Sequence, residues 1–224
     1  MPALRHQPPK VRDMHLPSLD DIRRLLNARE PERIDDPSRT RAAVALILRV
    51  TPAGMEMLLI ERARHDTDPW AGNLGFPGGK MEIIDRDERS AAVRETREEI
   101  GLEMETARGL GRLSDIAGAH LPVTVSCFVF ALSRQAPSPR TGGEVRAVFW
   151  VPLSVLLDPA RHRYEQVRFS GKELSVPAIR LPEPGHTVLW GITYRLVMQF
   201  LGIIVPSRLP PPSFPDVLSP LHQK

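Results

Sequence analysis

Three carboxylates on one face of a helix constrain this chain more than any other feature. Glu95, Glu98 and Glu99 fall at i, i+3 and i+4 within Arg94-Glu-Thr-Arg-Glu-Glu-Ile-Gly-Leu102, so a helix sets them about one turn apart on a single side. Like charges at that spacing repel by roughly a few tenths of a kcal/mol per pair, and something positive must answer them. Arg94 and Arg97 stand nearby. A divalent cation answers more completely, and hard oxygen ligands of this kind suit Mg2+ or Mn2+. Taken by itself, the string also reads as a solvated Arg/Glu surface helix.

The loop ahead of it changes the balance. In Gly75-Phe-Pro-Gly-Gly-Lys-Met-Glu-Ile-Ile-Asp85, Gly78 and Gly79 let backbone approach a ligand closely and free a carbonyl for a metal. Glu82 and Asp85 add two more carboxylates. Rival phosphate motifs fit worse. A P-loop would need its first glycine one position before Gly75 and Ser or Thr in place of Met81. Gly109-Leu-Gly-Arg-Leu-Ser114 lacks the third glycine of a dinucleotide loop, and neither His-Glu-x-x-His nor Gly-x-Ser-x-Gly occurs.

The rest of the chain reads as one α/β domain with a mixed sheet and extended ends. An arm over 1–40 carries one helix, with Ser18 and Asp21 in a capping box and Leu19, Ile22, Leu25 and Leu26 as a stripe that docks on the core. The folded unit is expected over 41–204. It opens with strands Arg41–Val50 and Met55–Arg62 around a Thr51–Gly54 turn, followed by a Gly/Pro-rich loop from about Asp66 to Lys80. The carboxylate helix starts within Asp85–Ser90 and stops at Gly101. Further strands are expected at Leu121–Leu132 and Val145–Val151, a late hairpin at Tyr164–Phe169 and Glu173–Leu181, and a helix over Thr187–Ile203. A tail over 205–224 carries six prolines and is expected to be extended.

Composition closes off several classes. The lone Cys127 excludes an internal disulfide framework and a Cys-rich zinc site. The longest apolar run, Ala42 to Leu48, is far short of the ~20 residues of a membrane span, and the first ten residues carry no secretory apolar stretch. A cytoplasmic protein is expected. The 30 basic residues against 27 acidic ones, net +3, leave little excess for a nucleic-acid backbone, and 5% aromatic content adds few stacking platforms. The basic set is nearly all arginine. That suits bidentate phosphate recognition and is equally what a codon bias would produce.

With these residues in view, the sequence resembles the Nudix hydrolases. That family's box runs glycine, five residues, an acid, seven residues, Arg-Glu, an apolar residue, any residue, Glu-Glu, any residue, glycine and an apolar residue. Gly79, Asp85, Arg94, Glu95, Glu98, Glu99, Gly101 and Leu102 match it. The departures are an eight-residue spacer between Asp85 and Arg94, Asp in place of Glu at position 85, and Thr96 in the apolar slot. The longer spacer, Phe76-Pro-Gly-Gly-Lys80, Val145-Arg-Ala-Val-Phe-Trp-Val-Pro-Leu153 and Trp190-Gly-Ile-Thr193 resemble the coenzyme A pyrophosphatase-like branch. A second Arg that this branch carries after the Arg62-Ala63 position would fall near Thr67 or Asp68 and is missing, with Arg64 a substitute.

The resemblance, over about residues 41–202, implies an α/β/α sandwich with a mixed central β-sheet and hydrolysis of a nucleoside diphosphate joined to another group. It implies Mg2+ or Mn2+ held by Glu95, Glu99 and the Gly79 carbonyl, with Glu98 completing a second position. Glu95 and Glu99 are expected on an exposed helical face. Arg94 is expected to orient the carboxylates by a salt bridge, while Glu82 and Asp85 stabilise the loop or serve an accessory metal. The general base is a Glu of the box, Glu98, or the downstream Glu144. Arg62 and Arg64 clamp phosphate or are solvated loop charges. Trp70 stacks on a base or packs its loop, and Phe76 joins the substrate-binding set. Coenzyme A or a derivative is the first substrate, with ADP-ribose, nucleotide sugars or (d)NTPs as alternatives. A catalytically silent nucleotide-binding module is the rival from another class. The small-molecule substrate is the expected partner, with no membrane or nucleic acid, and a homodimer is possible.

Overall fold

The computed structural model describes residues 16–63, 72–104, 107–119, 121–133, 136–182 and 188–208. Strand β1 (Thr40–Thr51) turns through Pro52-Ala53 into β2 (Gly54–Arg62), with Thr51 opposite Gly54. Along β1, Ala43, Ala45 and Ile47 enter one apolar cluster while Leu46 and Leu48 enter another. That alternation explains an almost unbroken apolar run: side chains of successive residues point to opposite faces, and here both faces are covered.

The central sheet is mixed. β1 runs parallel to β7 (Val123–Ala131), from Thr40 opposite Val123 to Leu48 opposite Ala131, and antiparallel to β2 only from Leu48 to Thr51. The far edge of β2 carries β8 (Val145–Pro152), and β7 carries the short β5 (Arg108–Arg112) and β6 (Ile116–Ala117). Beyond Leu48 and Met57 the first two strands part, and their open edges receive β3 (Leu74–Gly75) on β2 and β4 (Gly78–Lys80) on β1. The segment expected to be wholly loop therefore contains two strands. At two and three residues each, they are too short to show a period, and their hydrogen-bond partners are remote in sequence.

Helices cover the two faces. α2 (Glu88–Ile100) lies over Ala43, Ala45, Ile47, Leu58, Ile60 and Phe130, whereas α1 (Leu19–Asn27) and α4 (Gly191–Ile204) share the opposite core. This is the α/β/α sandwich with its mixed sheet. Ser18 and Asp21 form the capping box of α1; Asp87 and Ser90 form that of α2, which ends at Gly101 with φ +64. α4 begins later than its apolar spacing implies. Val188–Trp190 forms a strand, β11, in a small sheet with β10 (Lys172–Arg180) and β9 (His162–Phe169), and Gly191 at φ +68 makes the corner into the helix. The β9–β10 hairpin turns on Ser170 (φ +48) and Gly171 (φ +78), the positive pair that a tight two-residue hairpin requires. A one-turn helix, α3 (Leu153–Leu156), links β8 to this sheet.

The N-terminal arm is pinned to the sheet. Ile22 and Leu26 are fully buried, and Asn27 Nδ2 donates to Leu110 O at 2.8 Å. The Glu32 and Ile34 amides donate to Ser114 Oγ and Asp115 Oδ2, each at 3.0 Å. Gly111 makes room for this contact, since a Cβ there would stand 2.8 Å from that of Leu26. Among the described residues, no helix is long and apolar enough to cross a membrane.

Candidate active site

Arg94 is the hub of the box. Its side chain is only 11% exposed, and its nitrogens reach Asp85 (3.0 and 2.9 Å), Glu95 (3.0 Å), Glu98 (2.9 Å) and the Lys80 carbonyl (3.1 Å). Asp85 also accepts from the Glu82 amide at 2.8 Å. The guanidinium holds the Asp85 carboxyl well below the usual carboxylate range. Both oxygens of Asp85 are thus committed to closing the loop, while Glu82 sits 60% exposed at 4.0 Å from Arg94. Arg97 is exposed and makes no ion pair among the described residues.

The carboxylates are not on an exposed face. Glu99 is 4% exposed and the Glu95 side chain 16%, whereas Glu98 remains half exposed. α2 presses this side against β1 and β4, so a polar helical face becomes a buried one. Periodicity reads a buried carboxylate as solvent-facing, which is why the expectation failed. Thr96, in the slot the family keeps apolar, is also fully buried, and its hydroxyl donates to Ala92 O at 2.7 Å. A bond to the preceding turn lets a polar residue occupy an apolar place.

The glycine loop meets these acids directly. Gly78 N donates to Glu99 Oε2 at 2.9 Å, and Arg62 Nη1 stands 3.4 Å from Glu99 Oε1. Burial pushes the Glu99 carboxyl up to about 7 against the pull of the Gly78 amide and Arg62, with Glu95 and Glu144 adding to the rise. Burial likewise raises Glu95, opposed by Arg94 and assisted by Glu98 and Glu144. A Cβ on Gly79 would fall 2.4 Å from Glu95 Oε1, and one on Gly78 would fall 2.2 Å from Ala43 O at a φ of +149. Only glycine fits at position 78, and the Glu95 carboxylate lies against the Gly79 backbone, where a Cβ would push that side chain aside.

Glu144 is brought to the same place. Gly142 N donates to Glu99 O at 2.9 Å and Arg140 N to Ile100 O at 2.8 Å, so this loop closes the end of α2. Ala63 N donates to Glu144 O at 2.8 Å, tying it to β2. Its charge acts on both Glu95 and Glu99. A cavity of about 570 Å³ opens beside Arg62, Gly79 and Lys80, with Val44, Phe76, Trp190 and Ile192 on its apolar side. Phe76 is 4% exposed and belongs to the core as well as the cavity wall. Arg64 and Trp70 lie outside the described residues. Asn73 escaped the sequence reading entirely. It carries no motif, yet it lines the cavity, its carbonyl accepts from the Arg62 amide, and Trp190 Nε1 donates to its Oδ1 at 3.2 Å.

Among the described residues, no three acidic, His or Cys side chains converge on one point as they stand. Arg94 draws off Glu95 and Glu98, and the Gly78 amide holds Glu99. The donor set nevertheless suits a hard divalent ion: two desolvated carboxylates, one of them pressed against the Gly79 backbone.

A sandwich with this carboxylate helix and glycine loop defines a class of hydrolases that act on phosphoric anhydrides with the help of divalent ions. The NUDIX domain model matches residues 39–170, and the chain belongs to the Nudix hydrolase family. A probable nudix hydrolase of Schizosaccharomyces pombe is 29% identical over 202 residues, covering 88% of this chain and 68% of its own length. The human mitochondrial coenzyme A diphosphatase NUDT8 is 29% identical over 177 residues, covering 78% of this chain and 74% of its own. Several other relatives are spanned over only 33%, 64% and 57% of their lengths. The crystal structure of a MutT/nudix family protein from Enterococcus faecalis shares the fold, with a TM-score of 0.50 and 15% identity over 85% of this chain and 70% of that one.

Proposed function

We propose that this chain hydrolyses a diphosphate bridge with an organic group on each side, coenzyme A first among them, using Mg2+ or Mn2+. The observation that carries the reading is the gathering of Glu95, Arg62 and Glu144 around the buried Glu99, with Arg62 and Gly79 also lining a largely apolar cavity. Glu95, Glu99 and the Gly79 carbonyl would hold the ion, with Glu98 available once Arg94 releases it. An ion held there would neutralise charge on the diphosphate and lower the pKa of a water.

The protein's own groups supply the rest. Arg62 at the cavity rim meets phosphate oxygens. Arg94 keeps the loop and helix in register through Asp85. Glu144 accepts a proton from the attacking water, whose oxygen forms a bond to one phosphorus as the bond to the bridging oxygen breaks. With coenzyme A the products are phosphopantetheine and adenosine 3′,5′-bisphosphate. The apolar wall around Val44, Phe76 and Ile192 suits a substrate arm that is not itself a nucleotide. Similarity to a coenzyme A diphosphatase supports the same choice.

The test is a turnover screen with Mg2+ or Mn2+ over coenzyme A, dephospho-coenzyme A, ADP-ribose, nucleotide sugars and (d)NTPs. Coenzyme A should lead. Turnover of ADP-ribose, nucleotide sugars or dNTPs with coenzyme A untouched overturns the substrate and leaves the metal site standing. A folded, metal-binding protein inert on all of them favours the silent module.

A further inference from the structure

We propose that Trp190 is a positioning residue for the Arg62–Glu144 side of this site, acting through Asn73. The inference rests on the reading that Arg62 and Glu144 face the substrate. Trp190 belongs to the small sheet, where its backbone pairs with Ala178 and its ring meets Phe169 edge-on, with centroids 5.7 Å apart at 79°. It lies beyond the segment 39–170 matched by the family model. Its indole nitrogen nevertheless crosses to the central sheet and donates to Asn73 Oδ1 at 3.2 Å. An indole N–H can only donate, so it fixes which end of the Asn73 amide faces it.

From Asn73 the connection continues through main chain. The Arg62 amide donates to Asn73 O at 3.1 Å, and the Gly72 amide donates back to Arg62 O at 3.1 Å. The next amide, that of Ala63, donates to Glu144 O at 2.8 Å. Asn73 thus anchors the end of β2 from which the Arg62 side chain reaches Glu99 and from which the Glu144 backbone hangs. A shift of Asn73 moves both groups together, because each is tied by backbone rather than by a flexible side chain. Asn73 also leads directly into β3 and the Phe76-Pro-Gly-Gly79 turn, so the anchor sits at the root of the glycine loop.

One neutral hydrogen bond is too little to hold this fold and enough to change the alignment of reacting groups. The experiment is a double-mutant cycle of Trp190→Phe, Asn73→Ala and the pair. It reads coenzyme A hydrolysis with Mg2+, thermal unfolding, and amide hydrogen exchange at Arg62 and Ala63. Trp190→Phe keeps an aromatic ring against Phe169, and Asn73→Ala leaves the indole intact, so either variant reports if the other fails to fold. Each single change should lower kcat about fivefold with the midpoint of unfolding and the Mg2+ requirement unchanged. The double variant should be no worse than either single one. Exchange at the Arg62 and Ala63 amides should speed up about fivefold in both single variants, while β1 amides stay as they are. Multiplying kcat losses, losses that track the melting temperature, or unchanged exchange at Arg62 and Ala63 would overturn the relay. The exchange readout needs no substrate, so a wrong substrate cannot be mistaken for a wrong relay.

Discussion

Replacing Glu99 by Gln should make the metal-free protein more stable while removing its activity. The Glu99 carboxyl is pushed from its ordinary 4.5 up to about 7 in the fold, chiefly by burial. The folded state then holds a proton more tightly than the unfolded one, so stability is greatest below the unfolded value. It falls as pH rises from about 4.5 to about 7 and is flat beyond. The gap is worth about 3 kcal/mol above neutrality, at about 1.4 kcal/mol per unit. Gln has nearly the same shape, can still accept from the Gly78 amide, and carries no charge to desolvate. In metal-free buffer at about pH 8, Glu99→Gln should therefore gain about 3 kcal/mol, or roughly 6–12 °C for a chain of this size. At about pH 5 the gain should shrink to about 1 kcal/mol or less. Added Mg2+ should raise the melting temperature of the wild type and not of the variant, because only the wild type keeps the proposed ligand. Thermal unfolding at the two pH values, with and without Mg2+, measures all of this. An equal shift at both pH values, or no gain at the higher one, refutes the claim that desolvation of this carboxylate stresses the fold.

Other outcomes test neighbouring groups. Glu144→Gln should cut kcat by roughly 10²–10⁴ with Mg2+ affinity little changed if it takes the proton from water; a loss below about threefold moves that role to Glu98. Gly79→Ala drives a Cβ into the Glu95 carboxylate, and calorimetric titration should show Mg2+ affinity down by at least about tenfold with the fold retained. Arg94→Ala removes the guanidinium partner of Asp85 and the Lys80 carbonyl and should destabilise by about 1–3 kcal/mol in urea unfolding. Arg62→Ala should narrow the preference for coenzyme A over dephospho-coenzyme A, measured as the ratio of kcat/KM, if its charge meets the 3′-phosphate.

The box was legible because it is local: the spacing of Glu95, Glu98 and Glu99, the Gly78-Gly79 pair and Arg94 need no knowledge of the fold. The caps at Ser18 and Gly101 were legible for the same reason, whereas Asp87 could be placed only within Asp85–Ser90. What escaped depends on contacts between distant segments. Nothing in Leu74-Gly75 or Gly78-Gly79-Lys80 announces a strand until β1 and β2 part and expose edges to pair. The burial of Glu99 follows from β4 lying under α2, and a polar residue gives no sign of which face will be covered. Gly109-Leu-Gly111 looked like a failed nucleotide loop. Its second glycine answers to steric fit with Leu26, more than eighty positions away.

That notch has a practical reach. A fragment cut to residues 39–170, the span the family model matches, would leave Leu110 without the Asn27 amide. It would also strip Ser114 and Asp115 of the Glu32 and Ile34 amides that they accept. It would bare the bed of Ile22 and Leu26, each worth about 1.5–3 kcal/mol when buried. It would also discard α4, with Val197, Phe200 and Leu201 seated in the same core. The box would survive such a cut, while much of the core that seats it would not. Here the minimal unit of chemistry is smaller than the minimal unit of folding.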